Sequence, residues 1–379
     1  MRLPRPDEIQ TRNDELIDGL DFFDTPLFRP CENILRFFIG NIRGNLLNNL
    51  TLTMNKKLLF WPLIALLSFQ ACKNKSDKAS DTETNAAIAL VSPEFNADSA
   101  YTYVKAQVDF GPRIPGTLAH QKCAEYLVNK LKSFGAEVKI QGEKTQTYDG
   151  KTFQLKNILA SFNPENKTRV LITAHWDARP FSDQDSNPGN HNKPFDAAND
   201  GGSGVGVILE MARQIQKKSP NVGVDFVLWD LEDYGKANDE TPDEVTWCLG
   251  SQFWAKNAIA AGYKAGYGIN LDMVGGGNAQ FTQDEISRQA APDVVNRVWD
   301  IGNEIGYSSY FARIPSGKIV DDHFWMNKAG VPSIDIIHYN DNSGFYINWH
   351  TQLDNLANID KNTLKATGQT VLETIYREK

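Results

Sequence analysis

The chain has 379 residues, of which 41% are hydrophobic, and it carries a net charge of −8 with a pI of about 5.4. This size and composition allow a full hydrophobic core in one large domain or two smaller ones. Phosphate binding needs clustered lysine and arginine side chains, and the main body of the chain has no long basic run. The composition therefore argues against nucleic acid as a partner.

Residues 54–71 are typical of a secretory signal, with a short basic start, about a dozen apolar residues, and small or polar residues before Cys72. Phe69 departs from the leucine that such signals usually carry. The apolar run is short for a membrane-spanning helix, which needs about 20 residues. The cysteine predicts a lipoprotein of a bacterial cell envelope, acylated on Cys72 and either facing the periplasm or in the outer membrane.

A signal peptide in this position leaves residues 1–53 without a role, since signal peptides lie at the N-terminus. We interpret 1–53 as an upstream extension, with translation starting at Met54. The alternative is a cytoplasmic arm before an uncleaved anchor. The polar composition of the next segment predicts a flexible tether over 72–94, and the pattern becomes globular over 95–379.

Hydrophobic periodicity predicts helices over 98–108, 117–134, 203–218, 249–260, 291–306 and 361–377. Strands are predicted over 153–162, 170–176, 224–231, 266–273 and 332–339. Strands that alternate with helices indicate an α/β fold. We expect one globular domain with a central twisted sheet, mostly parallel or mixed, flanked by helices on both faces.

The four cysteines are too few and too scattered for a dense disulfide framework. Cys123 lies in a helical pattern and Cys248 comes just before another, so we expect both to be buried as small hydrophobic residues. The sequence has no Cys-x-x-Cys motif and no Cys/His cluster, which excludes a structural zinc finger.

Five segments each bring an acid or an imidazole to the end of an expected strand. They read VLITAHWD (170–177), AANDGGSG (197–204), FVLWDLED (226–233), INLDMVGG (269–276) and INWHTQLDN (347–355). A buried strand that ends in a polar residue gives up apolar packing to place that group at the sheet edge, where open α/β sheets bind ligands. Because all five use residue types that bind metal ions, they predict a metal site.

Three residues form the expected ligand set. Asp200 precedes a predicted helix within Asn-Asp-Gly-Gly-Ser-Gly, a sequence that suits an N-cap region as well as a hard metal ligand. Glu232 and Asp233 are neighbours, and neighbouring side chains on an extended chain point to opposite sides, so one can face the metal and the other the substrate. With His350, two carboxylates and one imidazole nearly neutralise Zn²⁺ and leave a fourth position open.

For several other polar residues, the sequence leaves more than one role open. His175, Asp177 and Asp272 could bind a second metal ion, orient the ligands of the first, or hydrogen-bond to a substrate. Of Asp321 and Asp322, one is expected to face the pocket and the other to cap the next helix.

The remaining histidines receive no catalytic role. His338 is expected to be a satisfied core residue, and His120 and His191 lie in polar segments to which no role is assigned.

Residues 95–379 resemble the zinc-dependent aminopeptidase superfamily and, within it, the bacterial branch of the glutaminyl-peptide cyclotransferases (glutaminyl cyclases). QVDFGPRIPGT at 107–117 is typical of the segment that leads into the first long helix of that superfamily. The resemblance implies a zinc site of Asp200, Asp233 and His350, a catalytic group of Glu232, Asp272 and Asp321, and substrate contacts from Trp349, Phe345 and His175.

Three features favour the cyclase branch: the long insert YGKANDETPDEVTWCL after the acid pair, the segment IVDDHFWMNKAGVPSIDII, and Trp-His-Thr followed by Asp354-Asn355. Two features depart from it. Asp233 stands where animal cyclases carry Glu, and the tryptophan that those cyclases place soon after the acid pair is missing. Tyr234 and Lys236 stand nearby instead, which leaves that pocket wall in doubt.

The resemblance implies a monomeric, zinc-dependent enzyme that converts the N-terminal Gln of peptides or proteins into pyroglutamate and releases ammonia. One zinc ion is expected, and His175 and Asp272 leave a second one open. A two-zinc aminopeptidase is the near alternative. A non-catalytic binding lipoprotein is a third, which the intact Glu232 and ligand set argue against.

Overall fold

The computed structural model describes residues 89–237 and 246–379. The predicted extension over 1–53, the signal segment over 54–71 and the acylation site at Cys72 therefore lie outside the described residues. In the described part of the chain, no helix has both the length and the apolar character that crossing a membrane requires.

The helices lie close to their predicted positions, and periodicity predicted all but two short ones. In chain order they are α1 (Ala97–Val108), α2 (Leu118–Ser133), α3 (Gly202–Lys217), α4 (Leu249–Ala261), α5 (Glu285–Ala290), α6 (Pro292–Glu304), α7 (Asp322–Lys328) and α8 (Lys361–Tyr376). Both α5 and α7 are too short to show a helical period in the sequence, although the cap expected at Asp321 or Asp322 already implied a helix where α7 lies.

The strands are β1 (Glu137–Gln141), β2 (Lys144–Gln146), β3 (Thr152–Gln154), β4 (Asn157–Phe162), β5 (Arg169–His175), β6 (Gly223–Trp229), β7 (Tyr267–Asp272), β8 (Phe281–Gln283), β9 (Phe311–Pro315), β10 (Ser333–Ile337), β11 (Tyr339–Asn340) and β12 (Gly344–Phe345). The predicted strand over 153–162 is in fact two strands. The chain leaves the extended path at Lys156, whose backbone N–H donates to the Asp230 carboxyl group at 2.8 Å.

Six strands form the central sheet in the order β1-β4-β6-β5-β7-β10. The strands β6, β5, β7 and β10 run parallel, and β4 pairs antiparallel with both β6 and β1. Alternate residues of β5 point to opposite faces: Ile172 packs in the core that includes α1, α2, α3 and α8, whereas Leu171 packs against Trp254 of α4 and Met326 of α7. The predicted mixed sheet covered by helices on both faces is confirmed.

Packing begins before residue 95, inside the segment predicted as a tether (72–94). The backbone N–H groups of Val91 and Ser92 donate to the carboxyl group of Glu373 in α8 at 3.1 and 2.9 Å, and Ser92 is buried. The end of the predicted tether is therefore part of the fold.

The five polar segments do not all follow strands, which corrects the sequence analysis. β5 ends at His175, β7 ends at Asp272, and β6 ends shortly before Glu232. Asp200 instead lies in the turn before α3, and His350 lies in a turn after β12. These two segments lack the long apolar run that makes a buried strand.

Candidate metal centre and active site

A cavity of about 420 Å³ opens at the carboxyl ends of the parallel strands. Open α/β sheets bind ligands at this edge, and the volume suits a group the size of an amino-acid residue. Of the residues to which the family resemblance assigns a role, all except His175 line the cavity. The topology thus gathers residues that are far apart in the sequence, because parallel strands end on the same side of a sheet.

Asp200, Asp233 and His350 meet at this cavity. Nε2 of His350 lies 3.0 Å from Oδ1 of Asp233 and 3.3 Å from Oδ2 of Asp200. One ligand atom from each residue lies within 4.8 Å of the other two, so the three could hold one ion. The proximity that the sequence analysis expected is found.

The donor set of this cluster fits a divalent cation. Asp200 and Asp233 are both buried, and Oδ2 of Asp200 has no hydrogen-bond partner. Burial, and then the charge of Asp200, raise the pKa of Asp233. Two buried carboxylates side by side need a counter-charge, and a metal ion bound to both of them and to an imidazole supplies it.

Asp200 is held by its backbone and does not cap the helix. The carboxyl group of Asp354 accepts the N–H groups of Asn199 and Asp200 at 2.7 and 3.0 Å. Gly201 is the N-cap residue of α3, with φ at 75° and no side-chain capping bond. A Cβ on Gly201 would lie 2.8 Å from Cε1 of His175, so a larger residue would push the two apart.

His350 is oriented by two residues that the sequence analysis missed. Its Nδ1 lies 3.3 Å from Oδ1 of Asp183, and Arg179 holds that carboxylate with a hydrogen bond of 2.6 Å. The backbone N–H of Arg179 also donates to Oδ2 of Asp233 at 3.0 Å. A carboxylate on the second nitrogen of a metal-binding histidine fixes its tautomer and orientation. The rule predicts an acid beside His350, but the sequence contains several acids and does not show which of them takes this position.

These carboxylates also set the protonation of His350. Burial opposes a positive charge on the ring, but the charge of Asp233 and the contacts with Asp183 and Asp200 raise the pKa of His350 well above its ordinary value. A bound cation would take the place of the proton on Nε2.

His175 belongs to a second group at the same edge. Its Nε2 lies 2.9 Å from Oδ1 of Asp200 and 3.3 Å from Oδ1 of Asp272, and these three residues could also hold an ion. Burial raises the pKa of Asp272 to about 7. Asp177 lies 3.5 Å from Nδ1 of His175, and its carboxyl group accepts the N–H of Glu232 at 3.2 Å. Asp177 therefore orients its neighbours.

Glu232 and Asp233 face different partners, although not for the reason given by the sequence analysis. They follow β6 in a bend, where Leu231 has a left-handed φ of 55°, so the alternation of an extended chain does not apply. Oε2 of Glu232 lies 3.7 Å from Nδ1 of His175, whereas Asp233 contacts His350. Burial raises the pKa of Glu232 well above its ordinary value. The charge of His175 opposes this shift, and nearby carboxylates add to it.

Asp321 both faces the cavity and caps a helix, two roles that were predicted to be divided between Asp321 and Asp322. It lines the cavity, and its carboxyl group also accepts the N–H of Asp322 as the N-cap of α7. Its other oxygen accepts a hydrogen bond of 3.0 Å from Asn270. Asp322 is fully buried, and burial raises its pKa well above the ordinary value.

Aromatic rings line the cavity on two sides of His350. Trp349 stacks on it with ring centroids 3.9 Å apart, and Phe345 contacts Trp349 at 4.6 Å. On another side, Trp247 lies nearly parallel to His350 at 6.3 Å. A Cβ on Gly235 would lie 1.9 Å from the Trp247 ring, so this wall depends on a glycine.

Trp247 thus supplies the wall that the sequence analysis found missing. It comes later in the chain than expected, at the end of the long insert, and its spacing from the acid pair hid it.

The other histidines differ from their predictions. His120 is buried, with Nε2 at 2.8 Å from Oδ1 of Asp230, and it stacks on Trp176 at 4.2 Å. His338 is not a satisfied core residue: it is half-buried and its Nδ1 has no hydrogen-bond partner. Burial lowers the pKa of His338 to about 4.

Comparison with known proteins agrees with this geometry. Residues 157–375 match the model of peptidase family M28. A Zn-dependent exopeptidase from Parabacteroides distasonis is 52% identical, with a TM-score of 0.73 over 76% of this chain and 99% of that one. A glutaminyl cyclase from Bacteroides thetaiotaomicron, bound to N-acetylhistamine, is 47% identical, with a TM-score of 0.74 over 76% of this chain and 100% of that one.

Aminopeptidase YwaD of Bacillus subtilis is 26% identical over an alignment of 310 positions that covers 79% of this chain. The chain spans 59% of the length of that relative. The family model covers more than half of the chain, and the solved structures are matched over almost their full length. The chain belongs to peptidase family M28.

Proposed function

We propose that this chain is a zinc-dependent glutaminyl-peptide cyclotransferase, which converts the N-terminal Gln of a peptide or protein into pyroglutamate and releases ammonia. The 47% identity with a glutaminyl cyclase favours cyclisation over hydrolysis, and the proton-transfer step that this reaction needs is carried by the position of Glu232. Its carboxyl group lines the same cavity as Asp200, Asp233 and His350 but is not part of their cluster. An acid beside a metal site, free of the metal, suits a proton carrier.

Asp200, Asp233 and His350 would hold the zinc ion. When bound there, zinc would polarise, as a Lewis acid, the carbonyl group of the substrate's side-chain amide, whose carbon is Cδ. Such polarisation contributes several kcal/mol. Asp183 keeps the ring of His350 turned toward this position.

The remaining chemistry belongs to Glu232. The substrate's α-amine forms a bond to its own δ-carbon, and the bond from that carbon to the side-chain nitrogen breaks. Glu232 takes a proton from the attacking amine and gives it to the leaving nitrogen, which departs as ammonia. The raised pKa of Glu232 brings the carboxyl group toward the range in which both transfers are possible near neutral pH. Such catalysis contributes about 10² to 10⁴ in rate.

Asp272 and Asp321 lie on the cavity wall, where they would accept hydrogen bonds from the α-amine. Trp247, Phe345 and Trp349 would exclude water from the reacting carbonyl. Exclusion of water favours attack by the substrate's own amine over hydrolysis.

A two-metal aminopeptidase is the second candidate, favoured by the group of His175, Asp200 and Asp272. The 47% identity with a glutaminyl cyclase favours the cyclase instead, in which His175, with Nε2 at 2.9 Å from Oδ1 of Asp200, would orient Asp200 and place the substrate.

The purified protein should be incubated separately with Gln-naphthylamide and Leu-naphthylamide. We expect the first to lose ammonia and form a pyroglutamyl product, and the second to release no naphthylamine. The reverse result would support the aminopeptidase. Metal analysis should find about one zinc ion per chain for the cyclase and about two for the aminopeptidase.

We also propose that the chain is a monomer and is attached to a bacterial envelope membrane by a lipid on Cys72. The signal-like residues 54–71 support the anchor. Mass spectrometry of the mature protein from membrane fractions should find an acylated Cys72 at its N-terminus, and a soluble protein that retains residues 54–71 would contradict it.

A further inference from the structure

Cys248 contacts the carboxyl group that carries the proton in the proposed function, and the mechanism above gives it no role. Its thiol donates a hydrogen bond to Oε1 of Glu232, with 3.4 Å between sulfur and oxygen. Cys248 is fully buried and forms no disulfide. The other described cysteine, Cys123, is also buried and free, but it lies in the main hydrophobic core. The two cysteines therefore form a natural pair for comparison.

The backbone brings Cys248 to this position. Its N–H donates to the carbonyl oxygen of Glu232 at 3.0 Å, and the N–H of Leu249 donates to the carbonyl oxygen of Leu231 at 3.0 Å. Leu231 and Cys248 both have left-handed φ angles, of 55° and 57°. Such a conformation costs on the order of 1 kcal/mol or more for a residue with a Cβ, and it tends to occur at functional sites.

The two oxygen atoms of the Glu232 carboxyl group have different neighbours. Oε1 accepts the thiol hydrogen bond, whereas Oε2 is the oxygen that lies 3.7 Å from Nδ1 of His175. A carboxylate with one oxygen held has fewer rotamers, so its other oxygen spends more time in the orientation that reaches the substrate.

We propose that Cys248 is a positioning residue for the reaction: its thiol holds Oε1 of Glu232 and leaves Oε2 to exchange protons with the substrate amine. The inference rests on the proposed function. Burial, followed by the charge of Glu232 and of other nearby carboxylates, raises the pKa of Cys248 well above its ordinary value, so the thiol stays protonated and can donate.

The test compares Cys248→Ala, Cys248→Ser and the matched control Cys123→Ala in the zinc-loaded full chain. A weak donor to a charged acceptor should contribute about 5- to 20-fold in kcat, with KM changed less than about 2-fold. Cys248→Ser keeps a donor and should retain at least about a third of the wild-type kcat. Cys123→Ala should leave kcat unchanged. The Tm and zinc content of every variant are measured alongside.

Several results would overturn the inference. One is a Cys248→Ala variant with the wild-type kcat. Another is a folded, zinc-loaded Cys248→Ser variant as slow as the alanine variant, which would indicate a packing role. A third is loss of zinc from Cys248→Ala, because Glu232, Cys248 and Asp321 could also hold an ion. If the alanine variant does not fold, the kcat of the serine variant decides.

Failure of the proposed function would look different. In that case the wild-type chain would not cyclise Gln-naphthylamide but would release naphthylamine from Leu-naphthylamide. The same variants are then compared on the second substrate, since Glu232 would move the proton in both reactions. The ratio of wild-type to Cys248→Ala activity decides the inference in either case.

Discussion

Among the buried histidines that contact carboxyl groups in the described residues, His350 and His323 make an informative pair, because only His350 lines the cavity. His350 lies 3.0 Å from Asp233, and both line the cavity. His323 is fully buried, with Nε2 at 3.4 Å from Asp284 and Nδ1 at 3.7 Å from Asp335, and it does not line the cavity. Asp321 belongs to the His323 group and reaches the cavity from it.

Donor type and spacing do not separate the two clusters. Each contains an imidazole and two carboxylates within reach of one ion, and each has buried polar atoms without a hydrogen-bond partner. Access separates them, because a hydrated cation must enter through the cavity and substrate must meet it there. We therefore interpret the His350 cluster as the metal centre and the His323 cluster as a buried polar cluster that supports Asp321.

The largest expected effect comes from His350→Ala. Removal of the imidazole leaves only the carboxylates of Asp200 and Asp233 as ligands. Because this weakens zinc binding, we expect the bound zinc to be lost. Cyclase activity should fall by at least about 10³-fold, since metal-ion polarisation contributes several kcal/mol. Elemental analysis and the Gln-naphthylamide assay measure both effects. A variant that keeps its zinc and its activity would place the metal elsewhere, with the group of His175, Asp200 and Asp272 as the next candidate.

Glu232→Gln should separate metal binding from proton transfer. The amide keeps the size of the side chain but cannot accept a proton, so we expect kcat to fall by about 10²- to 10⁴-fold while zinc content stays unchanged. Steady-state kinetics and elemental analysis on one preparation give the answer. Equal loss of zinc and activity would make Glu232 a metal ligand.

One topological rule predicts where the site lies, and the proposed ligand set rests on that rule together with the family resemblance. The carboxyl ends of parallel strands share an edge, so His175, Asp272 and the acids after β6 were expected to meet. The same rule was applied to Asp200 and His350, which do not follow strands. Turns place these two residues at the cavity. Their prediction as ligands rested on the family resemblance, because the strand rule does not apply to them.

The supporting residues were missed for a physical reason. Asp183 and Arg179 act from an irregular segment whose path depends on tertiary contacts, and no periodicity marks it. Trp247 was hidden by its distance from the acid pair, and the pairing of His120 with Asp230 joins a helix to a distant strand end. Side chains that hold other side chains leave little trace in a single sequence.

His323→Ala tests the other half of the comparison. Removal of the imidazole takes a polar neighbour from two buried carboxyl groups, those of Asp284 and Asp335, at about 1 to 3 kcal/mol each, so we expect the free energy of unfolding to fall by about 3 kcal/mol. Zinc content should stay at the wild-type level, in contrast to His350→Ala. Urea unfolding and elemental analysis measure the two quantities. Loss of zinc with unchanged stability would reverse the assignments of the two clusters.

His338 provides a third case for comparison with His350 and His323, because burial alone shifts the pKa of its imidazole. That burial lowers its pKa to about 4, from an ordinary value of 6.5. As the pH falls through 6.5 toward 4, the unfolded chain takes up a proton that the folded chain does not, so stability is lost over this window. We expect this group to contribute about 3 kcal/mol of the difference between pH 7 and pH 4. Urea unfolding of His338→Gln should therefore show a shallower pH dependence than the wild type between these values, and an equal slope would mean that the ring is protonated as readily in the folded state.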